Sequence, residues 1–246
     1  MEKDSFTLTQ KAAAWSVHAL TASGGVIGLM ALTSLIQGDF RGMLLWLGAA
    51  LIVDGFDGPL ARLAKVDEVT PLFDGAALDL VVDYFNYSVI PALAIWRFGM
   101  VPEGFELIAS GFALATALYC FGNKNMKTDD YYFVGFPAAW NLVILYFYLT
   151  GSNPWFNLGV IGVLGVLTFS PFKFVHPLRV RRGRGLTLIV TVIWTGLTLA
   201  LVFVGDEDPL SVTSPAVFWI WVLVSLYFVA VSVRRSLEAA IQSPQP

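Results

Sequence analysis

Eight apolar runs follow one another along this chain, each close to the roughly 20 residues that cross a bilayer as a helix. They fall at about Ala14–Gln37, Gly42–Leu63, Leu72–Phe98, Phe105–Phe121, Phe133–Leu149, Phe156–Phe172, Gly185–Val204 and Pro215–Val233. Backbone groups in hydrocarbon must be paired within their own segment, so these runs are read as helices. The expected fold class is an all-α polytopic membrane protein. Composition agrees, with 57% hydrophobic and 13% charged residues. A net charge of -3 gives nucleic acid no attraction, so none is expected as a partner. The single cysteine, Cys120, has no internal disulfide partner and reads as a core residue. Met1–Lys11 is mixed polar and does not resemble a cleavable signal peptide. No soluble domain is expected, so residues 1–246 read as one integral-membrane domain.

The distribution of lysine and arginine orients the spans. With the N-terminus in the cytoplasm, eight spans return the C-terminus there. The cytoplasmic segments then hold Lys3, Lys11, Arg62, Lys65, Lys124, Lys127, Lys173, Arg179, Arg181, Arg182, Arg184, Arg234 and Arg235. The opposite side holds only Arg41 and Arg97, together with Asp206, Glu207 and Asp208 in one loop. A bias of thirteen to two selects this orientation.

Against that apolar background, four carboxylates stand out. Asp54 and Asp57 lie in the second span and Asp79 and Asp83 in the third. Separations of three and four residues put each pair on one helical face. A charge in the hydrocarbon core costs about 3 kcal/mol or more. Four carboxylates would also repel one another, and the spans hold too few basic residues to balance them as salt bridges. Hard divalent cations such as Mg²⁺ or Mn²⁺ prefer oxygen ligands and are the natural remedy. Asp67 and Glu68 in the connecting loop read as solvated, and Asp74 falls outside the helical spacing of the set. Pro59 should kink the helix beside the first pair. Gly24 and Gly28 have the spacing that lets helices approach closely, and His18 reads as a packed residue of the first span.

In full, the residues run Asp54-x2-Asp57-Gly58-x2-Ala61-Arg62-x12-Gly75-x3-Asp79-x3-Asp83. This resembles the motif of the CDP-alcohol phosphatidyltransferases, D-x2-D-G-x2-A-R-x8-G-x3-D-x3-D, at every fixed position. The twelve-residue gap departs from the usual eight and resembles the form found in bacterial phosphatidylcholine synthases. Four extra residues make about one helical turn, so the connection could lengthen without rotating the second acidic face away.

The resemblance implies a six-helix catalytic core, with an extra C-terminal helix pair at about residues 185–233. It implies transfer of a phosphatidyl group from CDP-diacylglycerol to an alcohol, with release of CMP. It also implies a homodimer in the bacterial inner membrane, with the active site at the cytoplasmic face. Two divalent ions, Mn²⁺ or Mg²⁺, would be held by Asp54, Asp57, Asp79 and Asp83, with Asp83 also the general base. Gly58, Ala61, Arg62 and Gly75 would lie along the CDP moiety. The gap length points to choline as the acceptor, with serine and glycerol 3-phosphate as alternatives, and diacylglycerol with CDP-choline as a further one. A quaternary ammonium is held by aromatic faces, and the candidates are Tyr84, Tyr119, Tyr131, Tyr132 and Trp140. The basic stretch Lys173–Arg184, which includes His176, is explained by topology alone, and phosphate binding is an additional reading. A different class, an ion-coupled transporter with an acidic intramembrane site, is also compatible with buried carboxylates. It leaves the Gly-Ala-Arg part of the motif unexplained.

Overall fold

A computed structural model describes residues 6–204 and 215–242. Lys3 and the acidic group Asp206, Glu207 and Asp208 lie outside the described residues. The chain forms two compact units. One runs up to Met100 and takes in Trp140–Ile144; the other comprises Val101–Ala139 and continues from Leu145. Among the described residues, five helices are long and apolar enough to cross a membrane, and three further apolar helices are shorter. The chain is therefore an all-α polytopic membrane protein.

The first unit begins with α1 (Leu8–Gln37) and α2 (Phe40–Ala64). A capping box starts α1: the Thr7 side chain accepts from the Gln10 N–H, and the Gln10 side chain accepts from the Thr7 N–H. Gly38 ends it at φ 81, where a glycine is at ease. Asp39 then caps α2 by accepting from the Gly42 N–H at 2.7 Å. α2 runs unbroken through Pro59 as far as Ala64.

The twelve-residue gap contains the one-turn helix α3 (Val66–Val69), which folds back on α1. Buried Val66 and Val69 pack with Ala14 and Val17. Thr70 donates to the Val66 carbonyl at 2.8 Å, so it accepts from His18 Nε2, also at 2.8 Å. Phe73 packs on the His18 ring, with centroids 4.6 Å apart. Asp74 is the N-cap of α4 (Gly75–Tyr84), accepting from the Ala77 N–H at 2.9 Å. That local duty explains an acid outside the main set.

α4 passes into a π-helical turn, Phe85–Val89, and then into α5 (Ile90–Arg97), giving one continuous apolar helix. Pro91 stands at the start of α5. It has no N–H to give and its ring would crowd a carbonyl one turn back, so the backbone widens ahead of it. The Ile90 N–H accordingly bonds to the Phe85 carbonyl, five residues back. α1 lies against this widened segment. A Cβ on Gly24 would stand 2.8 Å from Val82, and one on Gly28 would run into Asn86 and Phe85. The small residues of α1 therefore set how closely the acidic helix approaches it.

The second unit holds α6 (Glu106–Gly122), most of α7 (Trp140–Thr150), α8 (Pro154–Leu167), α9 (Arg184–Val204) and α10 (Pro215–Gln242). α6, α7 and α8 have 17, 11 and 14 residues, short of the roughly 20 of a straight crossing. The fifth apolar run needs correction. It is not helical from Phe133; helix starts only at Trp140. Gly135 sits at φ 82, and Pro137 disfavours helix at the residue before it. Instead, Tyr132–Val134 (β1) pairs antiparallel with Lys173–Val175 (β2).

α10 secures this small sheet. Ser236 and Ser232 accept from the backbone N–H groups of Lys173 and Val175 at 2.7 and 3.0 Å. Arg235 donates to Asp130 at 2.8 Å. Burial raises the Asp130 carboxyl, but hydrogen bonds from Arg235 and Thr128 outweigh it, and the group ends below its ordinary value. Deeper in this unit, Trp194 Nε1 donates to the Tyr146 hydroxyl at 3.1 Å, which donates to Ser225 at 2.8 Å. Such interhelical hydrogen bonds matter where lipid tails remove the hydrophobic drive to associate.

Two expected outcomes follow from this packing. Gly28→Leu should destabilise the detergent-solubilised protein by about 1–3 kcal/mol through overpacking. Gly48→Leu, at a position with nothing within 4 Å, should leave thermal unfolding nearly unchanged. His176 stacks on Phe133 at 5.1 Å, and burial, then Arg179 and Lys127, hold its pKa down at about 4. The unfolded chain therefore binds this proton first. The contribution of His176 is fully present above about pH 6.5 and is lost as pH falls toward about 4. Thermal unfolding across that window should show a shallower decline for His176→Gln than for the wild type.

Candidate functional site

The site is built where α1, α2 and α4 meet. On α2, Asp54 and Asp57 sit one turn apart in the second half of the helix. On α4, Asp79 and Asp83 are likewise one turn apart, and the π-helical turn follows at once. Carboxylate oxygens of Asp54, Asp57 and Asp79 all lie within 4.8 Å of one another. Asp83 lines the same small cavity. The spacing argument thus brings all four expected acids to one place, from two helices that are separate in sequence.

Asp57 is buried, 6% exposed, and accepts a hydrogen bond from Thr21 of α1 at 2.9 Å. Thr21, Gly24, Asn86 and Tyr87 complete much of the polar wall of the cavity. Asn86 donates from Nδ2 to the Gly24 carbonyl at 3.1 Å, which ties the π-helical turn to α1. Its Oδ1 is buried without a hydrogen-bond partner. The Tyr87 hydroxyl stands near Asp54 but falls short of hydrogen-bond geometry, so it too is buried and unpartnered.

Sequence reasoning missed Thr21, Asn86 and Tyr87. A signal for two of them was present: counting from Asp79, Asp83 is i+4, Asn86 is i+7 and Tyr87 is i+8, all one helical stripe. Thr21 could have been found as the residue one turn before Gly24 on the glycine face of α1.

The donor set fits a hard divalent cation. Three oxygens within a few ångströms, each from a carboxylate, suit Mg²⁺ or Mn²⁺ and offer nothing to a soft metal. Two buried polar atoms beside them, Asn86 Oδ1 and the Tyr87 hydroxyl, have no hydrogen-bond partner in the protein, which is compatible with a polar occupant.

The remaining candidates are distributed as follows. Gly58 and Ala61 are half-buried in the last turns of α2, and Arg62 is exposed there. Gly75 starts α4 against His18, where a Cβ would stand 2.7 Å from the imidazole. His18 is accordingly a packed residue, as expected. Tyr84 is half-buried beside Asp83 in sequence, and Trp140 is fully buried. In the second unit, Tyr119 packs on Phe169, with centroids 4.6 Å apart. Arg181 lies over the Tyr131 ring at 5.1 Å and Arg235 over Tyr132 at 5.8 Å, so both tyrosines already face a cation.

No family model matches the chain. It is 47% identical over 232 residues to a phosphatidylcholine synthase of Pseudomonas aeruginosa, covering 94% of this chain and 95% of that protein. It is 40% identical over 196 residues to the phosphatidylcholine synthase of Agrobacterium fabrum, covering 80% and 81% of the two chains. For the phosphatidylcholine synthase of Brucella melitensis the figures are 32% over 223 residues, 88% and 81%. The chain belongs to the phosphatidylcholine synthase family of membrane enzymes.

Proposed function

We propose that this protein transfers the phosphatidyl group of CDP-diacylglycerol to choline, forming phosphatidylcholine and releasing CMP. The observation that carries the reading is the gathering of Asp54, Asp57 and Asp79 within 4.8 Å, with Asp83 on the same cavity. Every acid of the transferase motif thus reaches one point in a chain whose relatives are named for this product.

Asp54, Asp57 and Asp79 would hold the divalent ions, Mn²⁺ or Mg²⁺, with Asp83 on the same cavity beside them. When bound, such ions neutralise the diphosphate and stabilise charge on departing CMP. Asp83 takes the proton of the choline hydroxyl as the new P–O bond forms. The bond from that phosphorus to the bridging oxygen breaks, and CMP leaves with the electron pair. Gly58, Ala61 and Arg62 lie along the CDP moiety, where small side chains let a nucleotide approach the helix. Gly75 joins them while allowing α4 to begin tight against His18. Tyr84, Tyr119, Tyr131, Tyr132 and Trp140 remain the aromatic candidates for the quaternary ammonium. The family resemblance is the ground for a homodimer in the bacterial inner membrane, and the lysine and arginine bias is the ground for both termini and the site facing the cytoplasm.

The test is head-group transfer by the purified protein in liposomes. CDP-diacylglycerol, Mn²⁺ or Mg²⁺, and labelled choline are supplied, with serine and glycerol 3-phosphate in parallel. Metal-dependent phosphatidylcholine with equal CMP release is the expected result. Product only with serine or glycerol 3-phosphate would reassign the acceptor, and no product with any alcohol would remove the transferase reading. Asp83→Asn should lower turnover about 10²–10⁴-fold while CDP-diacylglycerol still binds. Turnover near wild type would take the base role from Asp83.

A further inference from the structure

The hydroxyl of Thr21 behaves unlike most others in the helices of this chain. A threonine inside a helix ordinarily donates to the carbonyl one turn back. Thr33, Thr150, Thr191 and Thr195 do so at 2.9, 2.7, 2.7 and 2.9 Å. For Thr21 that contact is stretched to 3.4 Å, and the short bond, 2.9 Å, goes across to Asp57 Oδ2 on α2. A hydroxyl has one proton, and here a carboxylate on another helix receives it.

Both partners are buried, at 7% and 6% exposure. The bond therefore forms where water does not compete for it. It engages one oxygen of Asp57, Oδ2. Asp57 is the most enclosed of the three acids that share the 4.8 Å cluster. α1 is also held at this depth by other means. Gly24, one turn further along, meets Val82 closely and accepts from Asn86. The helix bearing the hydroxyl is thus docked on both acidic elements, and Thr21 has little freedom to swing away.

We propose that Thr21 is a positioning residue for the metal site: its hydroxyl fixes the Asp57 carboxylate in the orientation that binds a divalent cation. The inference rests on the reading of Asp57 as a metal ligand. Groups that hydrogen-bond to ligating carboxylates set their orientation, and losing such a group typically weakens metal affinity about 10–100-fold. The threonine comes from outside the acidic motif, so α1 is part of the metal site and not only a packing surface.

The experiment measures Mn²⁺ binding to the full-length protein in detergent, by calorimetry or by the spin-resonance signal of free Mn²⁺. Thr21→Val keeps the shape and removes the donor; Thr21→Ser keeps the donor; Asp57→Asn reports on the ligand itself. Folding is checked by gel filtration and by thermal unfolding without metal. Thr21→Val should lose about 10–100-fold in Mn²⁺ affinity, and Thr21→Ser should stay close to wild type. Thr21→Ala carries the same expectation as Thr21→Val and replaces it if the valine variant does not fold. Wild-type affinity in Thr21→Val, with binding lost in Asp57→Asn, overturns the role of Thr21 and leaves Asp57 as a ligand. Equal loss in Thr21→Ser and Thr21→Val also overturns it, since the hydroxyl would then not be what matters. Undiminished binding in Asp57→Asn, or no binding by the wild type, removes both readings.

Discussion

Repulsion among carboxylates that share one small cavity is the constraint on which the first unit depends. In a poorly screened interior, like charges a few ångströms apart cannot all remain unless something compensates them. The molecule supplies part of the compensation as an oriented polar group, the Thr21 hydroxyl bonded to Asp57. The rest of the demand is for cations, which an all-oxygen donor set is suited to hold. In the proposed reaction, cations held there would also meet the charge of a diphosphate.

Bringing the acids together requires close helix approach, and lipid gives no hydrophobic reward for it. The first unit solves this with missing side chains. Gly24 and Gly28 admit Val82, Asn86 and Phe85, and Gly75 admits His18. The π-helical turn serves the same end: it lets one apolar helix continue past Pro91 while presenting Asn86 and Tyr87 to the cavity. Both units add hydrogen bonds between their helices, and in the second these are extensive. Trp194, Tyr146 and Ser225 link three helices, while serines of α10 tie down the two-stranded sheet.

The long gap of the acidic motif acquires a physical meaning from this arrangement. Its extra length forms a helical turn, and that turn does not hang in solvent. Val66, Val69, Thr70 and Phe73 bind it to the first half of α1. The connection between the acidic helices is thereby a docked element, which delivers α4 to its start at a fixed place against His18.

Much of this was legible in the residues. Apolar runs of spanning length dictate helices, because no other segment satisfies its own backbone in lipid. Separations of three and four dictate paired acids on a face. The motif's spacing carried the family, and the glycine spacing on α1 foretold close contact. Other features depended on tertiary structure. Which residues of α1 meet the acids is set by helix rotation and depth, which no local pattern encodes. The fifth run reads as helix by hydropathy alone, yet its first residues pair as a strand with β2, a partner some 40 residues away that periodicity does not reveal. Sequence by itself determined the class of fold and which acids share a helical face, since these follow from composition and helical period, while the expected chemistry came from the resemblance of the motif. Only the tertiary structure decided that a threonine from another helix bonds to Asp57, because a hydrogen bond between distant residues exists only once the helices have docked.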